Sequence, residues 1–135
     1  MLTEDFVWPI RVYYEDTDAG GIVFYANYLK FMERARTEWL RHLGIEQTQL
    51  QQQDHLVFVV SQVTIDYLKP ARFNDLIQVM THVSRLGRVS ITMTQKILRQ
   101  QETLCTAVVK VACVDASNFR PRPLPELILR ERSTF

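Results

Sequence analysis

One stretch of helical periodicity, set among several stretches of strand periodicity, most narrows what this chain can fold into. From about residue 26 to residue 43, apolar side chains recur at three- and four-residue steps, with charged side chains between them. This spacing places the apolar residues on one face of an amphipathic helix. The apolar positions are Tyr28, Phe31, Met32, Ala35, Trp39 and Leu43. Gly44 follows them, as expected of a residue that ends a helix.

The remaining segments alternate apolar and polar residues with the period of two that is typical of half-buried strands. They are residues 6–14, 56–67, 76–86, 88–98 and 103–115. In the second of them, strict alternation places on one face Val57, Val59, Val63, Ile65 and Tyr67. Short connections between the last four segments predict an antiparallel meander. Pro9 lacks a backbone N–H, which predicts that the first segment lies at an edge or carries a bulge at Pro9.

A long helix beside such strands can bury its apolar face in one place, the concave side of the sheet. The sequence therefore predicts an α+β fold in which an antiparallel five-stranded sheet surrounds one long helix. The 135 residues show no linker or repeat, so we expect one domain over residues 1–135. Hydrophobic residues make up 47% of the chain, an ordinary share for a globular protein.

Charge, cysteine content and the N-terminus exclude several classes of protein. A formal net charge of +1 gives no reason to expect nucleic acid as a partner. Cys105 and Cys113 lie on one predicted strand, too far apart to form a disulfide with each other. The sequence shows no zinc-ligand spacing, no signal peptide and no run of about 20 apolar residues. We expect a soluble, cytoplasmic protein with reduced cysteines, no integral membrane segment, no metal and no cofactor.

The residues that can carry chemistry are concentrated in residues 14–28, just before and at the start of the predicted helix. Asp18 lies there in a loop that ends at Gly21. Backbone N–H groups at a helix start have no intrahelical partner and can stabilise an oxyanion. A carboxylate beside them can attack a carbonyl carbon or deprotonate a water molecule that does so. The same pattern also fits an aspartate that only forms a turn or caps the helix.

This segment resembles the motif of the 4-hydroxybenzoyl-CoA thioesterase family. The matching pattern is Asp18-x-x-Gly21-x-Val23-x-Tyr25-x-Asn27-Tyr28. Residues 14–23 and 33–38 are similar to the bacterial branch of that family encoded beside the Tol-Pal envelope system. The likeness continues through residues 66–73 and 74–77, so it covers nearly the whole chain.

The resemblance implies a hot-dog fold and hydrolysis of acyl-CoA thioesters, with short-chain aliphatic or aromatic acyl groups, to free acid and CoA. It implies that Asp18 is the catalytic carboxylate, as nucleophile or general base, in a loop with Gly21. The backbone amide of Tyr25 then polarises the thioester carbonyl. This branch often has histidine where the chain has Tyr25. Because the implied role uses the backbone, we expect the change to affect substrate preference more than mechanism.

The resemblance also implies a homo-oligomer, either a dimer or a homotetramer built as a dimer of dimers, with active sites between protomers. Within the motif, Asn27 and Tyr28 are the candidate substrate-binding residues. CoA carries phosphates, so basic residues on turns and in the tail are candidate contacts: Arg72, Arg85, Arg88, Arg120 and Arg122. Arg72 and Arg88 are preferred, the latter because it lies at a predicted hairpin tip. Acyl carrier protein is an alternative carrier of the acyl group.

Other polar residues have simpler expected roles. Glu33 and Glu38 lie on the helix and are expected to pair with neighbouring arginines, although some thioesterases of this fold use a helix carboxylate for catalysis. Asp16 is expected to be a turn residue, and His55 and His82 have no predicted partner. The residues expected to fill the core or a dimer interface are Tyr13, Tyr14, Trp39 and Tyr67.

Two other functions fit the same fold. An acyl-thioester hydratase normally needs a carboxylate–histidine pair, and no histidine lies near Asp18 in the sequence. A non-catalytic module that binds acyl thioesters or acts as a scaffold needs no such pair, so the sequence leaves it open.

Overall fold

The computed structural model of the chain describes residues 5–131. Strand β1 (Phe6–Arg11) is followed by helices α1 (Asn27–His42) and α2 (Gln47–Asp54), strands β2 (Leu56–Tyr67), β3 (Leu76–Leu86), β4 (Ser90–Arg99) and β5 (Glu102–Asp115), and the short helix α3 (Glu126–Leu129). The predicted α+β class and the long helix are confirmed. Strand β1 ends at Arg11 rather than at residue 14, because the chain turns into a 3₁₀ helix at Tyr14–Asp16.

The five strands form one antiparallel sheet in the order β1-β3-β4-β5-β2. The predicted meander is correct for β3, β4 and β5 but wrong for β2, which pairs with β5. Residues 68–75 therefore connect β2, at one edge of the sheet, to β3, with β5 and β4 lying between these two strands. Strand β1, with Pro9, forms one edge as predicted, and β2 forms the other edge.

A β-bulge in β2 overturns the predicted face of that strand. The register of the pairing between β2 and β5 changes between Val60 and Gln62. Before the bulge, Leu56 is buried and Phe58 packs on the core, whereas the prediction placed residues 57 and 59 there. After the bulge, Ile65 packs on the core as predicted. One extra residue in the strand exchanges the two faces, and alternation in the sequence does not reveal it.

Helix α1 lies against the sheet and supplies much of the core. Its buried residues are Tyr28, Phe31, Met32, Ala35, Trp39 and Leu40. The facing strands bury alternate residues: Ile77, Val79, Ile91, Met93, Ile97, Val109 and Val111. Strands β3, β4 and β5 thus bury the faces that their alternating apolar residues predicted. A sheet wrapped around one long helix is the hot-dog arrangement that the resemblance implies.

Trp39 is buried in the core, one of the two places expected for it. Tyr13, Tyr14 and Tyr67 are exposed in the single chain, at 60%, 78% and 44%, so they do not fill its core, and their place in a dimer interface stays a prediction. His82 has a partner after all, because its Nδ1 lies 2.9 Å from Oδ1 of Asp5.

None of the helices in residues 5–131 is long and apolar enough to cross a membrane.

The two cysteines are free and buried in β5. Burial raises the pKa of the Cys105 thiol to about 12 and that of the Cys113 thiol to about 11. Since the thiolate is the nucleophilic form, both side chains are protected by burial and by protonation.

We therefore expect neither cysteine to react with iodoacetamide at about pH 8 in the folded protein, and both to react in concentrated urea. Mass spectrometry of the alkylated chain measures the modified fraction at each position. Rapid labelling of Cys105 in native buffer is the contrary outcome, since it requires that β5 open locally.

Candidate active site

The loop that carries Asp18 is closed by its own backbone. The Asp18 amide donates to the carbonyl of Ile22 at 2.9 Å, and the Gly21 amide donates to the Asp18 carbonyl at 3.0 Å. Gly21 has φ +78, a left-handed conformation that glycine adopts without strain. The Asp18 side chain is exposed, and its Oδ1 accepts from the Gly20 amide at 2.9 Å. Within residues 5–131, no hydrogen-bond donor engages Oδ2, so this oxygen can face a substrate or water.

Asp16 has a different role from Asp18, although the two lie two residues apart. It is buried, with its Oδ2 accepting from the Tyr13 amide at 2.8 Å and its Oδ1 accepting from Nδ2 of Asn27 at 3.0 Å. Its carbonyl accepts from the Phe24 amide at 3.1 Å. Asp16 is thus more than the predicted turn residue, because it ties the loop to the start of α1. The amide group of Asn27 is used for that tie.

Helix α1 begins without a side-chain cap. Ala26 occupies the cap position, and no side chain bonds to the first backbone amides of the helix. The Tyr25 carbonyl accepts from the Tyr67 hydroxyl at 3.1 Å. In the part of the chain that the structure describes, no acceptor engages the Tyr25 amide. The amides of Asn27, Tyr28 and Leu29 already donate to backbone carbonyls, so the Tyr25 amide is the donor here that can meet an oxygen brought in by a ligand.

Tyr28 connects the helix to the segment that crosses over the sheet. Its side chain is buried, and its hydroxyl oxygen accepts from the Ala71 amide at 2.9 Å. The Ala71 carbonyl accepts from the Val23 amide at 2.8 Å. Burial raises the pKa of the Tyr28 hydroxyl. Tyr28 therefore holds the Asp18 loop and the crossover segment together.

Tyr28→Phe is expected to lower the free energy of unfolding by about 1–3 kcal/mol, because the buried Ala71 amide loses its acceptor. Tyr13→Phe is the matched control, since Tyr13 is 60% exposed, and we expect it to change stability by less than about 0.5 kcal/mol. Urea titrations of both variants measure the difference. Equal midpoints for Tyr28→Phe and the wild type contradict the assigned contact.

A cleft of about 250 Å³ opens beside the start of α1. Val23, Tyr25 and Tyr28 line it from the motif, and Tyr67, Leu68 and Pro70 line it from the end of β2 and the crossover segment. The rings of Tyr25 and Tyr67 meet edge to face, with centroids 6.2 Å apart. The wall is thus apolar and aromatic, and the free Tyr25 amide belongs to one of the residues that line it.

Comparison with known proteins assigns the chain to a family. The model of the thioesterase superfamily matches residues 20–106. The chain is 45% identical over 132 residues to the acyl-CoA thioester hydrolase YbgC of Escherichia coli O6:H1, covering 97% of this chain and 98% of that protein. It is 47% identical over 126 residues to the acyl-CoA thioesterase YbgC of Haemophilus influenzae, with 93% of each chain covered. The chain belongs to the thioesterase superfamily.

Solved structures place this thioesterase in the hot-dog fold. A probable thioesterase from Bartonella henselae superposes with a TM-score of 0.86 at 37% identity, covering 90% of this chain and 99% of that one. The BH1999 gentisyl-coenzyme A thioesterase superposes with a TM-score of 0.84 at 27% identity, covering 91% and 98%. The sequence-based assignment to the YbgC-like branch is confirmed, and so is the expected enzyme class.

The thioesterase fold places the two preferred arginines at opposite ends of the sheet. Arg72 forms a β-bridge with Ile22, so it lies beside the Asp18 loop. Arg88 lies in the hairpin between β3 and β4, at the end of the sheet where Leu56 pairs with Asp115. Both side chains are exposed. Within one chain, Arg72 is placed near the candidate site and Arg88 is not.

The two candidate carboxylates on α1, Glu38 and Glu33, have different partners. Glu38 pairs with Arg41 at 2.8 Å, as predicted. Glu33 instead accepts from the Thr37 hydroxyl. No histidine in residues 5–131 contacts Asp18.

The crossover segment, from which the sequence singled out Arg72 alone, contributes other residues to the candidate site. Ala71 and Pro70 carry no reactive group, and their contribution comes from backbone contacts and shape. An ion-pair network fixes this segment: Arg99 lies 2.7 Å from Asp75 and 2.6 Å from Glu102, and Lys69 lies 2.8 Å from Glu102. The charged residues that form this network are visible in the sequence. Which of them pair depends on the strand order, so the sequence did not reveal the network.

Proposed function

We propose that the protein hydrolyses acyl-CoA thioesters to free acid and CoA, with Asp18 as the catalytic carboxylate. The observation that carries the proposal is that two free groups lie on one short segment, residues 18–25, whose Ile22, Val23 and Tyr25 line the cleft. One is Oδ2 of Asp18, in a loop whose backbone holds the other oxygen in place. The other is the Tyr25 amide at the uncapped start of α1. The names of the relatives from Escherichia coli and Haemophilus influenzae support acyl-CoA as the substrate.

The proposed chemistry is attack on the thioester carbonyl. The carbonyl oxygen accepts from the Tyr25 amide, and the helix start stabilises the negative charge of the tetrahedral intermediate. Asp18 either deprotonates a water molecule that attacks the carbonyl carbon, or attacks it directly to give a mixed anhydride that water then opens. In both versions the C–S bond breaks and CoA leaves as the thiolate, which takes up a proton.

A single turnover in heavy-oxygen water separates the two versions. In the base mechanism, the label enters only the product acid. In the anhydride mechanism, water that attacks the Asp18 carbonyl leaves label in the side chain, which mass spectrometry of a peptide containing residue 18 detects. Label in the product acid alone after one turnover supports the base.

Strand β2 is the proposed contact between two copies. It is an edge strand of twelve residues, and residues 60–64 are exposed in the single chain. A long edge with exposed apolar side chains, here Val60 and Val63, readily pairs with another strand. Antiparallel pairing of β2 with β2 of a second copy closes a two-fold dimer. A tetramer can then form from two such dimers.

This dimer completes the site. Tyr67 at the end of β2 touches Tyr25 of its own chain, and antiparallel pairing places the Leu56 end of the second copy beside it. That end of the sheet also carries the hairpin with Arg88. We propose that Arg72 of one copy and Arg88 of the other lie near the CoA phosphates. In this proposal Tyr28 lines the cleft and Asn27 holds the loop through Asp16, and neither bonds to the substrate.

Release of free thiol from a panel of acyl-CoAs tests the function. The panel includes short and long aliphatic acyl groups and aromatic ones, with a dye that reports the CoA thiol. Hydrolysis of at least one of them well above the spontaneous rate is the expected result. No release from any member, together with tight CoA binding, favours the acyl-thioester-binding module. Acyl carrier protein substrates are then the next panel, and loss of an enoyl chromophore identifies a hydratase.

A further inference from the structure

A second cavity, of about 110 Å³, lies between α1 and the sheet, separate from the Tyr25 cleft. Its walls are apolar and include Leu40, Phe58, Val60 and Met93. Two charged residues of α1, Glu33 and Arg36, also line it. Thr37 and Gln47 complete the polar side of the lining, so the cavity suits a small ligand group that has both an apolar part and a polar end.

Arg36 is the unusual residue of this cavity. It is half-buried, and burial lowers the pKa of its guanidinium. Its Nη1 donates to Oε1 of Gln95 at 3.0 Å. Gln95 is fully buried, and its Nε2 donates to the Met32 carbonyl at 3.1 Å and to the Thr81 hydroxyl at 2.9 Å. These two bonds fix the amide orientation, so Gln95 presents a carbonyl oxygen to Arg36.

The described residues offer no acceptor to the remaining donors of Arg36. Within residues 5–131 no carboxylate lies within ion-pair distance of the guanidinium; the charge of Glu33 acts on it, but the Glu33 carboxylate bonds to Thr37. A guanidinium carries several N–H donors, and only Nη1 has a partner in the described part of the chain. Partly desolvated donors without acceptors favour a ligand that supplies one.

We infer that this cavity takes the far end of a short acyl group and that Arg36 donates hydrogen bonds to an oxygen atom there. The inference rests on the proposed function and its dimer. Phe58 and Val60 lie in the half of β2 that antiparallel pairing brings next to Tyr67 and Tyr25 of the other copy. The cavity of one copy then continues the cleft of its partner. The substrate class is short acyl-CoAs with a hydroxyl, keto or carboxylate oxygen.

Four acyl-CoAs with the same number of carbon atoms test the inference: butyryl-CoA, 3-hydroxybutyryl-CoA, acetoacetyl-CoA and succinyl-CoA. For the wild type, we expect kcat/KM of at least one oxygen-bearing substrate to exceed that of butyryl-CoA by about 10-fold to 100-fold, the range of a hydrogen bond to a charged group. The three arms distinguish a hydroxyl, a ketone and a carboxylate as the acceptor. Spontaneous hydrolysis of each thioester is subtracted.

Arg36→Met removes the donors and keeps an apolar chain, so we expect the ratio of kcat/KM for the preferred substrate to kcat/KM for butyryl-CoA to fall to about 1, whatever the absolute rates. Arg34→Met is the matched control, since Arg34 is exposed on the same helix and stacks over Phe31. Thermal unfolding verifies that each variant is folded.

If Arg36→Met does not fold, the ratios of kcat/KM among the four substrates of the wild type still test whether the protein prefers an oxygen-bearing acyl group. Equal hydrolysis of all four substrates overturns the inference and leaves the proposed function in place. Hydrolysis of none of the four, nor of any member of the wider panel, overturns both. A preference that survives unchanged in folded Arg36→Met also overturns the inference.

Discussion

Replacing Asp18 with asparagine is expected to lower kcat for acyl-CoA hydrolysis by about 10²-fold to 10⁴-fold, the range of a lost general base. Asparagine keeps an oxygen that can accept from the Gly20 amide, the contact that Oδ1 of Asp18 makes at 2.9 Å. The loop should therefore hold its shape, and KM should change little. Steady-state thiol release with the best substrate of the panel measures kcat and KM separately.

Asp5→Asn is the control for the Asp18 variant. Asp5 is exposed just before β1, at the sheet edge that the proposed dimer leaves unpaired, so it lies away from the loop and from both parts of the proposed site. It removes the same charge by the same change of atoms, and we expect activity close to that of the wild type. An Asp18→Asn protein that is folded and fully active moves the catalytic role to a helix carboxylate, with Glu33 as the first residue to test.

Val63→Arg is expected to separate the proposed dimer and to lower activity about 100-fold at low protein concentration. Val63 is 38% exposed near the middle of β2, so the two copies of residue 63 lie close to the two-fold axis. Like charges placed opposite each other destabilise strand pairing. Because association depends on concentration, activity should recover partly as the protein is concentrated. Sedimentation measures the mass, and thiol release is followed over the same concentrations.

The other edge of the sheet supplies the control for this variant. Val7 in β1 is 44% exposed, close to the value for Val63, and Val7→Arg adds the same charge to the edge that the proposal leaves unpaired. It should keep the mass and activity of the wild type. If Val63→Arg is a fully active dimer, the contact between copies uses another surface and the composite site is wrong.

The sequence was most informative where structure depends on near neighbours. The helix predicted over residues 26–43 is observed at Asn27–His42, because a repeat of three and four residues has one interpretation. The alternation in β3, β4 and β5 gave their buried faces for the same reason. Pro9 predicted an edge strand through the loss of one donor.

It was least informative where distant segments meet. The position of β2 beside β5 depends on the crossover of residues 68–75, and no local pattern encodes that choice. The bulge near Val60 reverses the face of half a strand with no composition signal. For the candidate site, the motif named Asp18 and Tyr25 as candidates, but the contact of Ala71 with Tyr28 and the buried position of Asp16 depend on the folded chain.

The two edges of the sheet are unequal, and this limits how the protein can grow into larger assemblies. Strand β1 is six residues long and carries Pro9, so an incoming strand finds a short template with a missing donor. In the proposed dimer the two β2 strands pair with each other, so the two free edges of the joined sheet are the β1 strands. Edge pairing then stops at two copies instead of continuing into a fibril. A newly synthesised chain is vulnerable to misassembly only until its β2 strand meets a second one.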